Sequence, residues 1–255
     1  MSQTIEKTNI APEAESEKEY TPRKQTFYMK HFKRWLDCFL AIMLFIAISP
    51  FLLILALVVR LNLGSPILFK QERIGKDEKP FVLYKFRTMT NKKDENGNLL
   101  PDKERMTKFG KFLRKTSFDE LPELFNIIKG DMCVIGPRPL ITRYLPYYTE
   151  KERHRHDVYP GLTGYSQVSG RNFLSWAKRF EMDLYYIERC NFFFDVKILV
   201  KTVIKVFSKK GIIDYSKLEK NENGEYFFRE NGKIYRVNTP LDIERSEMNA
   251  VGNRK

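Results

Sequence analysis

The chain has 255 residues, of which 42% are hydrophobic and 30% are charged, and its formal net charge is +13. This length suits one sizeable domain with attachments, and the charge indicates a polyanionic partner: nucleic acid, an anionic bilayer or phosphorylated substrates. Three cysteines without a CxxC pair, together with only three histidines, exclude the usual ligand pattern of a structural zinc site. We therefore expect reduced thiols and a cytosolic face.

The first 26 residues are predicted to form a disordered tail, because they are polar and carry no apolar period. Residues 27–62 are predicted to form a membrane segment, with no charged residue from Cys38 to Val59. At about 1.5 Å per residue, this apolar run is just long enough to cross a bilayer. Ser49 and Pro50 lie at its midpoint, where proline removes a backbone hydrogen bond and kinks or breaks a helix.

Two courses through the membrane are compatible with this pattern. Basic residues flank both ends of the apolar run, so a spanning helix would place one basic flank on the disfavoured side. A re-entrant helix–break–helix hairpin, hinged at Ser49 and Pro50, keeps both flanks in the cytoplasm, and we expect this course. A kinked transmembrane helix stays open on the pattern alone, since membrane helices tolerate proline.

Short strands and helices are predicted after the membrane segment. Strands are predicted over residues 66–74 and 80–89, with Lys85 and Arg87 on one face of the second strand. Asn96-Gly97 predicts an exposed loop or hairpin, and helices are predicted over about residues 102–115 and 118–129. The fold class is therefore expected to be α+β and mostly helical, with small β-hairpins.

The C-terminal part contains a basic amphipathic helix and a hairpin. Over residues 192–207, Lys197, Lys201 and Lys205 recur every four positions among apolar side chains. Such a helix either lies in the bilayer interface or packs in a core with a solvated stripe, and the sequence favours neither. Residues 208–255 are predicted to form an extension with a polar tail and a β-hairpin whose type I′ turn is Asn231-Gly232.

Two adjacent carboxylates, Asp119 and Glu120, stand at a predicted helix start just after the basic pair Arg114-Lys115. Asp119 is the preferred N-cap, because it places Pro122 in the first turn, whereas Ser117 as N-cap would place that proline at the fifth helical position. The helix dipole then favours ionised Asp119, which suits a nucleophile or a metal ligand. The alternative is that both carboxylates only cap the helix.

Two further segments combine stiff or glycine-rich backbone with arginine. Pro137-Arg138-Pro139 presents an arginine on an extended backbone, and residues 160–172 form a glycine-punctuated loop ending near Arg171. The backbone amides of this loop and Arg171 are candidates for contact with a phosphate or nucleotide. Taken singly, each segment is more often a simple connection between elements.

In this order the segments resemble the bacterial sugar transferases, or monotopic phosphoglycosyl transferases, which initiate glycan assembly on polyprenyl phosphate. The resemblance extends from about Lys33 to Phe207, with Cys133 and Tyr165 where Ser and Trp are more usual. It rests on Lys33-Arg34 with Asp37, Ser49-Pro50, Gln71-Glu72-Arg73-Ile74-Gly75, Lys85-Phe86-Arg87-Thr88-Met89, Asp119-Glu120-Leu121-Pro122, Gly136-Pro137-Arg138-Pro139 and Pro160-Gly161-Leu162-Thr163-Gly164.

The resemblance implies a catalytic domain over residues 63–207 and a catalytic pair, Asp119 and Glu120, that also binds Mg²⁺. In such enzymes the aspartate attacks the β-phosphate of a UDP-sugar, releases UMP and passes the phosphosugar to polyprenyl (undecaprenyl) phosphate. It implies a monotopic protein on the cytoplasmic face of the bacterial inner membrane, in contact with anionic lipids and not with nucleic acid. A homo-oligomer is left open. The substrate-binding residues are expected to be Lys85, Arg87, Arg114, Pro137, Arg138, Pro139, Arg171 and Asp183.

Two other classes of protein compete with this interpretation. A non-enzymatic basic protein that binds anionic lipid or nucleic acid would explain the charge and leave the ordered motifs unexplained. A membrane phosphohydrolase would form the same aspartyl intermediate and pass it to water. The sequence does not identify the sugar, because specificity depends on a pocket built from residues scattered along the chain.

Overall fold

The computed structural model describes residues 26–170, 174–208, 219–220, 226–230 and 233–237. Within them the chain is mostly helical with three small sheets, in agreement with the expected fold class. The predicted N-terminal tail, Arg171 and the hairpin turn at residues 231–232 lie outside these described residues.

The membrane segment is one long helix. A π-helical turn, Tyr28–Phe32, leads directly into helix α1, Lys33–Leu63, and together they are long and apolar enough to cross a membrane. The helix continues through Pro50, so the expected break into two helices is not seen. Proline cannot donate to the carbonyl four residues earlier, and the Ser49 hydroxyl donates to that carbonyl, Ile46 O, at 2.8 Å instead. The hydroxyl thus satisfies the acceptor that Pro50 leaves open.

An antiparallel hairpin follows α1, as predicted. Strands β1, Leu68–Ile74, and β2, Pro80–Phe86, pair along their whole length. Strand β2 ends at Phe86, three residues earlier than predicted, so Arg87 lies just beyond it. The Asn96-Gly97 turn is also confirmed, because Gly97 adopts a left-handed φ of 81° between the paired residues Lys93 and Leu99.

The single helix predicted over residues 102–115 is wrong, because the chain forms α2, Asp102–Arg105, and α3, Lys108–Thr116. Met106 between them is extended and pairs with Met89. Thr107 then caps α3 by accepting a hydrogen bond from the amide of Gly110. Helix α4, Glu123–Lys129, ends at Gly130 as predicted.

The remaining elements surround a short parallel strand pair, β3 and β4. Strand β3, Cys133–Ile135, pairs with β4, Gly161–Thr163. The helices of this region are α5, Glu150–Arg153, α6, Tyr165–Ser169, α7, Trp176–Arg189, and α8, Phe192–Ser208. Strands β5, Glu219–Lys220, β6, Tyr226–Glu230, and β7, Lys233–Val237, form the last sheet, which confirms the two strands of the predicted hairpin.

Both ends of α1 pack on the same globular part of the protein. At the N-terminal end, Lys33 forms a buried ion pair of 2.6 Å with Asp195 of α8. At the C-terminal end, Val59 and Leu63 are buried in one cluster with Phe86 and Leu113. The apolar side chains on the opposite side of α1 are exposed: Ile42, Met43, Leu44, Ile46, Leu53, Ile54, Leu57 and Leu61.

Helix α8 also exposes much of its apolar surface. Asp195 and Ile198 are buried against the domain, whereas a wide face of large apolar side chains is exposed: Phe192, Phe193, Val196, Leu199, Val200, Val203, Ile204 and Val206. Exposed lysines at 197 and 201 accompany this face. A core helix would bury most of these side chains, so the structure favours the interfacial alternative.

Candidate active site

The two central carboxylates lie in a single 3-10 turn, Phe118–Glu120, between α3 and α4. Ser117 ends α3 in the left-handed conformation, with φ at 58°, and this reversal starts the turn. The predicted N-cap at Asp119 is wrong, because α4 begins at Glu123 with Pro122 in the N-cap position. Proline ends the 3-10 turn and starts α4, and Asp119 therefore lies one turn ahead of that helix.

Glu120 is held by cations from two distant parts of the chain. Lys85 Nζ, at the end of β2, lies 2.6 Å from Glu120 Oε1, and Arg138 Nη2 lies 2.9 Å from the same oxygen. Lys85 also contacts Glu123 Oε1 at 3.0 Å. The structure thus brings together Lys85, Glu120 and Arg138, three residues that the sequence analysis proposed for one site.

A buried asparagine sets the position of Lys85 relative to these carboxylates. Asn126 of α4 accepts a hydrogen bond from the Tyr84 amide at 3.1 Å and donates to Val82 O at 2.7 Å. Its side chain is fully buried and joins α4 to β2 directly beside Lys85. Because these bonds fix β2 to α4, they also fix the position of Lys85 next to Glu120 and Glu123.

Asp119 and Glu120 are neighbours with opposite electrostatic surroundings. Burial, with the nearby Glu120 charge, raises the pKa of Asp119 to about 6, against the opposing effect of Lys85 and Arg114. For Glu120, burial also disfavours the charge, but Arg138 and Lys85 overcome it and lower the pKa. Within the described residues, no ion pair is formed by Asp119, and no hydrogen bond joins its side chain to another residue. The helix dipole was expected to favour ionised Asp119, but burial raises its pKa instead. Of the two adjacent carboxylates, Asp119 is the one without an ion pair.

Glu123 is a third carboxylate of the site, which the sequence analysis missed. It is buried, and burial raises its pKa even though Lys85 opposes the shift. Its spacing after Glu120, one helical turn along the chain, was the available signal. Lys85 is shared between an ionised Glu120 and a Glu123 that binds a proton more readily.

Arg138 is supported from behind by a buried ion pair. Arg155 donates to the Arg138 carbonyl at 2.8 Å and to Asp183 Oδ2 at 2.8 Å. Ser166 donates to the other oxygen of Asp183 at 2.8 Å. Asp183 therefore lies behind Arg155, and the structure does not bring it to Glu120. Neither Arg155 nor Ser166 had a signal in the sequence that indicated this role.

The Pro137-Arg138-Pro139 segment is held on both sides. Arg73 of β1 donates to Pro139 O at 3.4 Å, and the amide of Gly161 donates to Pro137 O at 2.9 Å. The prolines limit the backbone of Arg138, and these bonds fix its direction towards Glu120. Pro137 and Pro139 thus act on Arg138 through the backbone.

The glycines of residues 160–172 serve backbone packing. A Cβ on Gly161 would lie 2.0 Å from Gly136 N, and a Cβ on Gly164 would lie 2.1 Å from Gly136 O. The Gly161 amide is already bonded to Pro137 and the Gly136 amide to Thr163 O. The expected use of the Gly161 amide for a phosphate is therefore not supported, and these glycines allow β3 and β4 to approach closely.

The other predicted substrate-binding arginines differ in their surroundings. Arg114 is exposed, donates to Thr88 Oγ1 at 2.9 Å, and lies close enough to lower the pKa of Asp119. Arg87 is buried and donates to the carbonyls of Pro66 and Met89, both at 3.1 Å, so it supports the backbone. Arg171 lies outside the described residues.

The described residues contain no group of three or more His, Cys, Asp or Glu side chains arranged to hold a metal ion. A magnesium ion usually binds one or two carboxylates and completes its coordination with substrate phosphates and water. Asp119, which is unpaired, together with Glu120, whose two ion pairs both use Oε1, fits such an open site.

Comparison with known proteins identifies relatives over most of the chain. The family model described as "Bacterial sugar transferase" matches residues 28–209. An uncharacterized sugar transferase, EpsL, of Bacillus subtilis is 53% identical over 180 residues, which cover 71% of this chain and 89% of the relative. The UDP-glucose:undecaprenyl-phosphate glucose-1-phosphate transferase of Klebsiella pneumoniae is 39% identical over 71% of this chain and 41% of the relative.

A third relative carries a different sugar in its name. The UDP-N-acetylgalactosamine-undecaprenyl-phosphate N-acetylgalactosaminephosphotransferase of Aeromonas hydrophila is 35% identical over 70% of this chain. The matched region is only 44% of that relative's length. The chain thus spans about two fifths of the relatives whose names state a reaction, and those names differ in the sugar.

Proposed function

This chain belongs to the bacterial sugar transferase family, and we propose that it transfers a sugar-1-phosphate from a UDP-sugar to undecaprenyl phosphate. The observation that carries the proposal is the contrast between two adjacent carboxylates. Asp119 is buried and unpaired, whereas Glu120 is held by Lys85 and Arg138. The unpaired Asp119 is suited to attack a phosphate, and Glu120 is suited to hold Lys85 and Arg138 beside it.

In the proposed first step, an oxygen of Asp119 attacks the β-phosphorus of the UDP-sugar. The bond between that phosphorus and the oxygen bridging the two phosphates breaks, and its electron pair leaves with UMP. In the second step, an oxygen of undecaprenyl phosphate attacks the aspartyl phosphorus and releases the Asp119 carboxylate. The covalent intermediate lets one site serve a soluble donor and a lipid acceptor in turn.

The basic residues of the site match the main electrostatic cost of this chemistry. A carboxylate that approaches a phosphate charge at 4 Å is repelled by about 4 kcal/mol at an effective dielectric of 20, roughly a thousandfold in rate. Lys85, Arg114 and Arg138 are close enough to Asp119 or Glu120 to offset this repulsion. Magnesium, when bound at Asp119 and Glu120, would add Lewis-acid stabilisation of the phosphate charge.

We propose a course of α1 in which both of its ends lie on one side of the membrane, although the helix is continuous through Pro50. Lys33 at one end and Leu63 at the other both contact the same globular part, and this packing supports the proposal. The exposed apolar faces of α1 and α8 are then available to the lipid. We propose that this arrangement keeps the site on the cytoplasmic face of the inner membrane, at the depth of lipid phosphates.

The test is Mg²⁺-dependent UMP release from a panel of UDP-sugars, with and without undecaprenyl phosphate, by protein held in nanodiscs. Release that requires the lipid phosphate and disappears in Asp119→Asn supports the transferase. Turnover without lipid phosphate would favour the hydrolase. Activity retained by Asp119→Asn would overturn the assignment of the nucleophile. An unchanged rate after chelation of Mg²⁺ would overturn the proposed role of the metal in the reaction.

A further inference from the structure

A second basic site lies where the membrane helix begins. A cavity of about 340 Å³ opens between the start of the helix and the globular part, and its lining includes Lys30, Lys33, Arg34, Lys76, Val158 and Tyr159. This volume is within the roughly 300–1,000 Å³ range of small-ligand sites. Its lining does not include Asp119, Glu120 or Arg138, so it is separate from the candidate active site.

Three cations of this cavity keep an uncompensated charge. Lys33 is neutralised by Asp195 at 2.6 Å and Asp37 at 3.3 Å. In contrast, no carboxylate among the described residues forms an ion pair with Lys30, Arg34 or Lys76. Several like charges gathered around one concave space repel each other, and an anion in that space would relieve the repulsion.

Two of these cations, Arg34 and Lys76, have contacts that hold them in position before any ligand binds. Arg34 donates to Met132 O at 2.7 Å and to Ile127 O at 2.9 Å. The Arg34 guanidinium and the Lys76 ammonium lie 5.5 Å and 5.1 Å from the centre of the Tyr159 ring. Both residues line the same cavity, and contact with one shared ring restricts their motion.

The surroundings indicate the depth of this site relative to a membrane. Phe27, Phe32, Trp35 and Phe39 are all exposed at the start of the helix, in the same stretch that supplies Lys30 and Arg34. Exposed aromatic side chains at the end of an apolar helix are typical of the membrane–water interface, where lipid phosphates lie. A cationic cavity at this level therefore faces phosphate groups.

We propose that Lys30, Arg34 and Lys76, which line one cavity with Tyr159, form a binding site for a phosphate group, distinct from the site of the proposed transfer reaction. The phosphate belongs either to the headgroup of an anionic lipid or to a soluble phosphate compound, since both present the same oxyanion. The site goes beyond the proposed function and does not depend on it, because binding is measured without turnover.

The experiment compares ligand retention by variants of the full chain in detergent micelles. Phosphatidylglycerol is added in one arm and inorganic phosphate in the other, and bound ligand is counted by native mass spectrometry. Lys30→Gln/Lys76→Gln is expected to lower retention at least tenfold, because each lysine near an anionic lipid surface contributes roughly fivefold in binding. Lys30 is exposed and Lys76 is partly exposed, and an unchanged thermal unfolding temperature verifies that the variant folds.

Two controls identify the site. Lys103→Gln/Lys151→Gln removes two exposed lysines that do not line the cavity and is expected to retain ligand like the unaltered chain. Arg138→Gln removes a cation of the candidate active site and accounts for phosphate held there, and the loss caused by Lys30→Gln/Lys76→Gln is expected to be the same in that background. Loss in the lipid arm alone assigns the site to lipid headgroups, and loss in the phosphate arm assigns it to soluble phosphates. Equal retention by Lys30→Gln/Lys76→Gln in both arms would overturn the proposal.

Discussion

The guanidinium of Arg155 donates a 2.8 Å hydrogen bond to the backbone carbonyl of Arg138, so the cation that contacts Glu120 is itself held by a second, buried arginine. Arg155 is in turn neutralised by Asp183. The candidate site therefore depends on a chain of contacts that extends well behind the carboxylates. This arrangement and the unpaired state of Asp119 lead to three predictions, and the hydrogen bond of Ser49 in α1 leads to a fourth.

The first prediction concerns the buried ion pair behind Arg138. Asp183→Asn leaves the Arg155 charge buried without its partner, and removal of one partner of a buried pair costs about 3–5 kcal/mol. We expect a large fall in the thermal unfolding temperature of the protein in detergent. Glu181→Gln on the same helix is the matched control, because the Lys178–Glu181 pair is exposed and worth roughly 0–1 kcal/mol. Equal effects of the two substitutions would contradict this account.

The second prediction is that Asp119→Asn stabilises the folded protein at neutral pH. Burial raises the pKa of Asp119 from 3.8 to about 6, so the ionised carboxylate destabilises the fold by about 2–3 kcal/mol above pH 6. The folded state binds this proton more tightly than the unfolded state, so the penalty disappears as pH falls below about 4. The asparagine side chain carries no charge, and the gain in unfolding temperature should therefore be present at pH 7.5 and absent near pH 4.

Glu181→Gln again serves as the control for that measurement, because it removes an exposed carboxylate and should change stability little at either pH. A gain of equal size for Asp119→Asn at both pH values would mean that the charge of Asp119 is not the source of the penalty.

The third prediction concerns the pH dependence of UMP release. A protonated carboxyl group is a poor nucleophile, and Mg²⁺ bound at Asp119 would lower its pKa, so at limiting Mg²⁺ the rate should fall about tenfold per pH unit below an Asp119 pKa of about 6. Lys85 lowers this pKa, and Lys85→Gln should therefore move the acid limb of the rate profile to higher pH as well as lower the maximum rate. Lys103→Gln is the control, and an unshifted limb in Lys85→Gln would argue against Asp119 as the titrating group.

The fourth prediction tests the hydrogen bond from Ser49 to Ile46. Ser49→Ala removes the donor that replaces the missing amide of Pro50, and an unsatisfied carbonyl costs about 1–3 kcal/mol. Pro50→Ala restores a backbone donor, so Ser49→Ala should cost much less in that background. A double-mutant cycle, measured by thermal unfolding in nanodiscs, should show a coupling energy of about 1 kcal/mol or more. Strictly additive effects would show that the Ser49 hydroxyl does not replace the backbone donor missing at Pro50.

Local patterns in the sequence determined the elements that depend on neighbouring residues. The uncharged run from Cys38 to Val59, the hairpin that contains Lys85 and the Asn96-Gly97 turn were all predicted, because apolar periodicity and turn residues act over a few positions. The ordered motifs also predicted that Lys85, Glu120 and Arg138 belong to one site. The predicted start of α4 was wrong, because Pro122 takes the N-cap position and the helix begins at Glu123.

Only the tertiary structure decided how these residues act on each other. The burial of Asp119, the sharing of Lys85 between Glu120 and Glu123, and the support of Arg138 by Arg155 all depend on contacts between distant segments. No periodicity along the chain encodes such contacts, because they arise from the packing of side chains in three dimensions. A carboxylate's pKa depends on that packing through the loss of water and the distance to other charges, and the same packing set Glu120 apart from Asp119.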